Sequence, residues 1–222
     1  MVYIQQELER LKSETLAMWD LVNSQLNKAG EALLSFDKEM AREVLCREKR
    51  VNAYELKIDS DCEDIIGLYQ PVALDLRFTL STMKIGTNLE RIGDFCEGMA
   101  RYVLDYPEMS IEADILDRTG IKEMVAIVKD MLHRTRDAYE QESSALATTV
   151  FAMDTRVDEL NHRAMPIIAE HLQTLPERAI ECLNLISIIR RLERIGDHCN
   201  NIAEDVVFYI DAKVLKHADK GE

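Results

Sequence analysis

Apolar residues recur along this chain at intervals of three and four, the period of a helix and not of a strand. Leu8, Leu11, Met18, Val22 and Leu26, with Thr15 among them, make the first stripe and predict a helix over residues 3–29 that Gly30 ends, as a glycine just past a helix can. A second helix is expected from about Glu31 to Ile66, with Leu34, Val44, Val51, Ile58 and Ile65 facing inward. Gly67 and the Gln70-Pro71 pair break it, because proline cannot continue a helix and biases its predecessor away from one. A third runs from about Val72 to Tyr106 and is stopped by Pro107. The pattern then restarts. Ile121, Met124, Val125, Val128, Met131 and Leu132 predict a helix over 111–140, and Ser143 or Ser144 caps a fifth that reaches about Leu172. Pro166 falls inside this fifth helix and is expected to kink it or end its regular part. Thr174-Leu175-Pro176-Glu177 has the form of a helix start, proline in the first turn with an acid beside it, and the sixth helix runs from there to about Lys216. The polar tail after His217 is expected to fray.

Six long helices with short connections predict an all-α, up-down arrangement. The string Leu-Glu-Arg-Ile-Gly-Asp occurs at Leu89–Asp94 and again at Leu192–Asp197, 103 residues apart (192 − 89). A repeat at that distance points to an internal duplication. The expected architecture is therefore two tandem, pseudo-symmetric three-helix bundles, residues 1–108 and 109–222; a single continuous six-helix bundle is the alternative.

The repeated hexamer also carries chemistry. Glu90 and Asp94, like Glu193 and Asp197, stand at i, i+4 and share one helix face. Gly93 and Gly196 sit mid-helix, each at a cost of about 1 kcal/mol relative to alanine, which a helix tolerates where a neighbour approaches closely. The middle helices echo one another too: Glu48-Lys-Arg-Val-Asn52 lines up with Asp154-Thr-Arg-Val-Asp158. If the helices pack with these pairs level, three or four oxygen-bearing side chains converge in each unit. Such a cluster repels itself unless a cation sits within it, and carboxylate and amide oxygens suit magnesium, manganese, calcium or iron better than a thiolate-style zinc site. The competing expectation is that Arg91 and Arg194, beside the acids, neutralise them as surface ion pairs. His162 follows Asp158 by one turn and is a further candidate ligand, against the plainer expectation of a surface histidine. Glu159 and His162 form a single Glu-x-x-His, whereas a di-iron carboxylate bundle needs two. No nucleophile–base constellation and no glycine-rich phosphate loop accompanies the acids, so no catalytic residue is assigned.

Composition narrows the function classes. A net charge of −14 with no basic cluster argues against a nucleic-acid binder and against adsorption to anionic lipid. The longest uncharged stretches fall short of the roughly 20 residues that a membrane span needs, so no membrane insertion is expected. Five cysteines, an odd count without a C-x-x-C pair, suit a reduced, cytoplasmic protein. Cys96 and Cys199 are equivalent under the repeat and are expected to be core thiols.

Gln70-Pro-Val-Ala-Leu-Asp-Leu-Arg77, the two Leu-Glu-Arg-Ile-Gly-Asp strings, His198 and Asn201-Ile-Ala-Glu204 together resemble the PhoU family of bacterial phosphate-transport accessory proteins, over nearly the whole chain. The resemblance implies two three-helix bundles and metal clusters of iron, manganese, magnesium or zinc held by acid-x-x-x-acid motifs. On this chain those motifs are Glu90/Asp94, Asp154/Asp158 and Glu193/Asp197; the fourth, Glu48/Asn52, departs from the pattern, which implies weaker binding in the first unit. The resemblance further implies a homodimer and a negative regulator that links a phosphate-transporter ATPase to a sensor histidine kinase. Two other classes stay open at this point: a metal-dependent, ferritin-like bundle enzyme, and a helical adaptor without metal.

Overall fold

The computed structural model describes residues 2–106 and 112–215. Among them are seven α-helices and no strand: α1 Val2–Ser35, α2 Lys38–Asp64, α3 Ala73–Asp105, α4 Ala113–Thr119, α5 Ile121–Glu140, α6 Ser144–Thr174 and α7 Ala179–Asp211. The all-α class and its six long helices are as expected; α4 is an additional short piece. The expected stop at Pro107, the division between 108 and 109 and the tail beyond Lys216 lie outside the described residues.

Several boundaries differ from the expectations, each for a local reason. Gly30 does not end the first helix. It lies inside α1, where a Cβ would stand 2.7 Å from Val125 Cγ1, so its role is to let α1 approach α5. The chain turns later, at Phe36 with φ of 56°, and Asp37 caps α2 by accepting from the Glu39 and Met40 amides at 2.8 and 3.1 Å. The second helix unwinds through a π turn, Ile65–Tyr69, that contains Gly67, and Gln70 then takes the left-handed conformation ahead of Pro71. The fourth expected helix is two. Gly120, at φ of 73°, breaks it between α4 and α5, and a Cβ there would meet Arg163 Nη2 at 2.6 Å and Leu160 Cδ2 at 2.9 Å. Ser143 caps α6 as expected, accepting from the Leu146 amide at 3.3 Å. Pro166 does not end α6, which continues to Thr174. The sixth helix opens with a 3₁₀ turn, Pro176–Arg178, and closes at Asp211, where Ala212 turns left-handed, short of the expected Lys216.

In one half α1, α2 and α3 pack on one another; in the other α5 packs on α6 and α7, α6 packs on α7, and α4 lies against α6. The halves meet where α3 lies along α7 and α1 against α5. Their buried apolar side chains form one connected core. An aromatic box closes it at one end: Trp19 of α1, Phe78 of α3, Tyr139 of α5 and Tyr209 of α7, with Tyr139 5.4, 5.9 and 6.1 Å from the other three ring centroids in that order. The polar tips are satisfied across the halves. Tyr139 and Thr82 share a hydrogen bond of 3.0 Å between hydroxyls, and Trp19 Nε1 donates to the Leu132 carbonyl at 3.3 Å.

Candidate functional site

Each half buries one carboxylate between its middle helix and the helix that carries the hexamer. Glu48 on α2 is 6% exposed and Asp154 on α6 is 5% exposed. The mid-helix glycines explain how both fit. A Cβ at Gly93 would stand 3.2 Å from Glu48 Oε2 and 3.3 Å from Val51 Cγ1; one at Gly196 would stand 3.2 Å from Asp154 Oδ1 and 3.6 Å from Val157 Cγ1. The close neighbour that costs each helix its alanine is thus the acid of the paired helix.

The two buried acids find their amide donor in different places. Glu48 Oε2 accepts from Gln25 Nε2 of α1 at 2.9 Å, while Asp154 Oδ2 accepts from Asn200 Nδ2 of α7 at 3.1 Å. Met131 stands where the repeat would place a second Gln25, against Gly196. Glu48 Oε1 is buried with no hydrogen-bond partner.

Around Glu48 the negative charge is dense. Burial pushes its pKa up, Gln25 pulls it down, and Asp94 and Glu97 push it up again. Glu90 is raised to about 7, first by burial and then by Asp94, Glu55 and Glu48, against the pull of Arg91. In the second half Glu193 is raised by burial, Asp197 and Asp158, with Arg194 and Arg190 opposing. Glu48, Glu90 and Asp94 therefore lie within electrostatic reach of one another, and likewise Asp158, Glu193 and Asp197. Asn52 is exposed on α2. Its place is taken by Glu55, half-buried and itself raised by burial, Asp59 and Asp94. The equivalent of Glu55 is Asn161 (161 − 106 = 55), whose Oδ1 is buried without a partner. Each middle helix thus carries two acids and one amide on this face, with acid and amide exchanged between the second and third positions. The signal for Glu55 was in the sequence: it stands seven residues after Glu48, two turns along one face.

The arginines of the hexamers do engage the acids. Arg91 reaches Asp94 at 3.1 Å and Glu90 at 3.6 Å, and Arg194 comes within 3.9 Å of Glu193. Both guanidinium groups are more than half exposed, so they screen the acids from the solvent side and leave the buried oxygens as they are. His162 is exposed and its Nδ1 lies 2.7 Å from the Asp158 carbonyl of its own helix, and Glu159 is ion-paired with Arg156 at 2.9 Å. The lone Glu-x-x-His therefore faces solvent. Cys96 and Cys199 are fully buried, and burial holds their thiols protonated. His198 faces neither acid cluster: it packs on Phe95 at 5.7 Å across the α3–α7 seam, and its Nδ1 lies 2.8 Å from Asn88 Oδ1.

A model of the PhoU domain matches the chain twice, over residues 15–103 and 121–206. This chain belongs to the PhoU family. Each matched segment contains one hexamer and the buried acid packed against its mid-helix glycine, Glu48 or Asp154, so the duplication read from the repeat coincides with the family's unit. The phosphate-specific transport system accessory protein PhoU homolog of Pseudomonas aeruginosa is 33% identical over 211 residues, 95% of this chain and 86% of that protein. The Escherichia coli accessory protein PhoU is 29% identical over 225 residues, 97% and 88% of the two chains. The crystal structure of PhoU from P. aeruginosa superposes with a TM-score of 0.89 at 32% identity, covering 94% of this chain and 99% of that one. That of the phosphate transport system regulatory protein PhoU from Streptococcus pneumoniae gives 0.82 at 26% identity, covering 95% and 98%.

The donor set in each half of this PhoU-family chain fits a hard cation. It consists of carboxylate and amide oxygens, repels itself, and in the first half includes a buried oxygen without a partner. Among the described residues, no three His, Cys, Asp or Glu side chains are gathered closely enough to hold an ion as they stand. Ligation requires the acids to turn inward, away from Arg91 and Arg194.

Proposed function

We propose that this chain is an accessory protein of a phosphate-transport system, a cytoplasmic negative regulator that works by binding, not by turnover. It connects the transporter's ATPase to a phosphate-sensing histidine kinase and holds metal in both halves. The observation that carries this reading is the pair of equivalent acid faces, one in each PhoU-domain match, in a chain similar along nearly its whole length to proteins named for phosphate-specific transport. No helix is long and apolar enough to cross a membrane among the described residues, which suits a partner of membrane proteins that is not itself inserted.

Glu48, Glu55, Glu90 and Asp94 would hold the cation in the first half and Asp154, Asp158, Glu193 and Asp197 in the second, with Asn52 and Asn161 as amide candidates. A bound cation supplies the positive charge that these acids lack. The chain's own contribution is to fix the spacing: Gly93 and Gly196 set how closely the paired helices approach, and Gln25 and Asn200 orient the buried carboxylates. Homodimerisation belongs to the same reading.

The test is an affinity capture from the native organism at high phosphate. Recovery of the phosphate-transport ATPase or the sensor kinase, lost in Asp94→Ala plus Asp197→Ala, is expected. Recovery of neither, at bait concentrations sufficient for an interaction of about −8 kcal/mol, overturns the regulator reading.

A further inference from the structure

The first half and the second half share their hexamer but not the residues just before it. Thr87-Asn88 stands in one and Arg190-Arg191 in the other. In the fold this difference falls on a groove. Arg190, Arg191 and Arg194 of α7 form one wall of an open depression of about 420 Å³, and Leu183, Ile186 and Phe95 of α3 and α7 form its apolar part. The arginines lie within about one helical turn of one another. Among the described residues neither Arg190 nor Arg191 forms an ion pair with a carboxylate, in a chain whose net charge is −14.

Arg191 is seated, not loose. Its Nη1 donates to Ser187 Oγ, and its stem crosses α3 at Gly98, where a Cβ would collide with Nε at 2.6 Å. The position equivalent to Gly98 is Asn201 (201 − 103 = 98), so the glycine on α3 that admits the α7 arginine has no counterpart on the other side of the seam. At the equivalent positions, Leu80, Met83, Lys84, Thr87, Asn88 and Arg91, several side chains are engaged within the chain. Asn88 is bonded to His198 at 2.8 Å, and Lys84 lies over the Phe208 ring at 5.6 Å and 3.5 Å from Asp205. On one side of the seam the molecule's own side chains bridge these positions; on the other Arg190 and Arg191 stand in an open depression. Its apolar end continues to Ile180 and Leu183, 64% and 63% exposed.

We propose that the groove along Leu183–Arg194 is a docking site for an acidic amphipathic helix of a partner protein. The apolar positions take the partner's hydrophobic stripe and the three arginines its Asp and Glu side chains. The twelve residues from Leu183 to Arg194 span about 16 Å, roughly three turns of a docked helix. Charge complementarity selects the occupant: a second copy of this chain would have to bring an exposed acidic and apolar helix to the same place, and a basic or neutral segment leaves the arginines unanswered. The inference deepens the adaptor reading and rests on it for the existence of a partner.

The test places a photo-crosslinking phenylalanine at position 183 of the full chain in native cells, with the same probe at position 80 as the pseudo-symmetric control. The expected result is a crosslink from 183, and not from 80, to an acidic segment with apolar residues at helical spacing, in a protein also recovered by the affinity capture. Arg190→Glu, at an exposed position that makes no ion pair with a carboxylate among the described residues, should cut the crosslink at least tenfold. A crosslink to this chain itself, to a basic segment, or one indifferent to the charge reversal overturns the inference. Capture of a transporter ATPase or kinase without any crosslink from 183 overturns the groove and leaves the adaptor reading standing. Failure of the capture itself removes both.

Discussion

Glu48 meets three opposing demands at once. Its carboxylate is enclosed between helices, one oxygen is held by Gln25 and the other has no partner, and further acids stand nearby. Its room is made by Gly93. Gly93→Ala gains the helix propensity of alanine, about 1 kcal/mol, but forces apart Glu48, Gln25 and Val51, all within 3.3 Å of the new methyl. A net loss of about 1 kcal/mol is expected, read as a lower urea midpoint. Gly67→Ala is the control: no atom lies within 4 Å of its Cβ, and a neutral effect or a gain of up to about 1 kcal/mol is expected. Glu90 gives the pH test. Its folded pKa, about 7, lies above its ordinary value of 4.5, so the folded state holds this proton more tightly than the unfolded chain does. In metal-free protein its contribution is most favourable below about pH 4.5 and declines as pH rises through 7. Glu90→Gln should flatten that decline in melting curves taken between pH 5 and 8. A slope unchanged by the substitution would place the titration elsewhere.

At the scale of elements, the question is which helix faces meet. The helical period made the six long elements readable, since each carries a stripe of Leu, Ile, Val and Met. The breaks were less readable, because a glycine in a sequence does not say what lies beside it. Gly30 and Gly120 look alike along the chain. One admits Val125 inside a continuous helix, and the other takes a positive φ beside Arg163 and Leu160 and splits a helix in two. The same limit hid Glu55. The hexamers named the acids of α3 and α7, but the register of α2 against α3 decides that Glu55 also lies near them. This register changes the expectation for metal. From spacing alone the first half has three acids and an amide and should bind more weakly; with Glu55 its acids are no fewer than those of the second half. Titration of metal-free protein with manganese is expected to show two classes of site within about tenfold of each other. Glu55→Gln should weaken the first at least as much as Asp158→Asn weakens the second, and Asn52→Asp should change little. A strong gain from Asn52→Asp with none of the loss from Glu55→Gln would restore the simpler pairing of Glu48 with position 52. Metal that binds only the folded state should also raise the melting temperature, by the equivalent of about 2.7 kcal/mol at a hundredfold excess over Kd.

For the molecule as a whole, the aromatic box decides how the halves behave. Trp19, Phe78, Tyr139 and Tyr209 come from α1, α3, α5 and α7, and Tyr139 is fully buried among the other three. Halves that share this much core should melt together. Calorimetry is expected to give a single transition with matching calorimetric and van't Hoff enthalpies. Tyr139→Phe, which removes the hydroxyl that bonds Thr82 and faces Thr15, should cost about 1 kcal/mol, whereas Tyr139→Ala should cost about 3–5 kcal/mol and lower both halves at once. Two separate transitions in the wild-type chain would show that the box adds little.

The shared seam has a corollary. A lone unit would leave its α3 side uncovered, and the second unit covers it, so the tandem chain makes internal a contact that two separate units would form only in proportion to their concentration. In a pair of identical units every residue appears twice, and a groove is either open on both sides or closed on both. Fusion lifts that constraint. Thr87-Asn88 can stand on one side and Arg190-Arg191 on the other, and a symmetric scaffold acquires a front and a back.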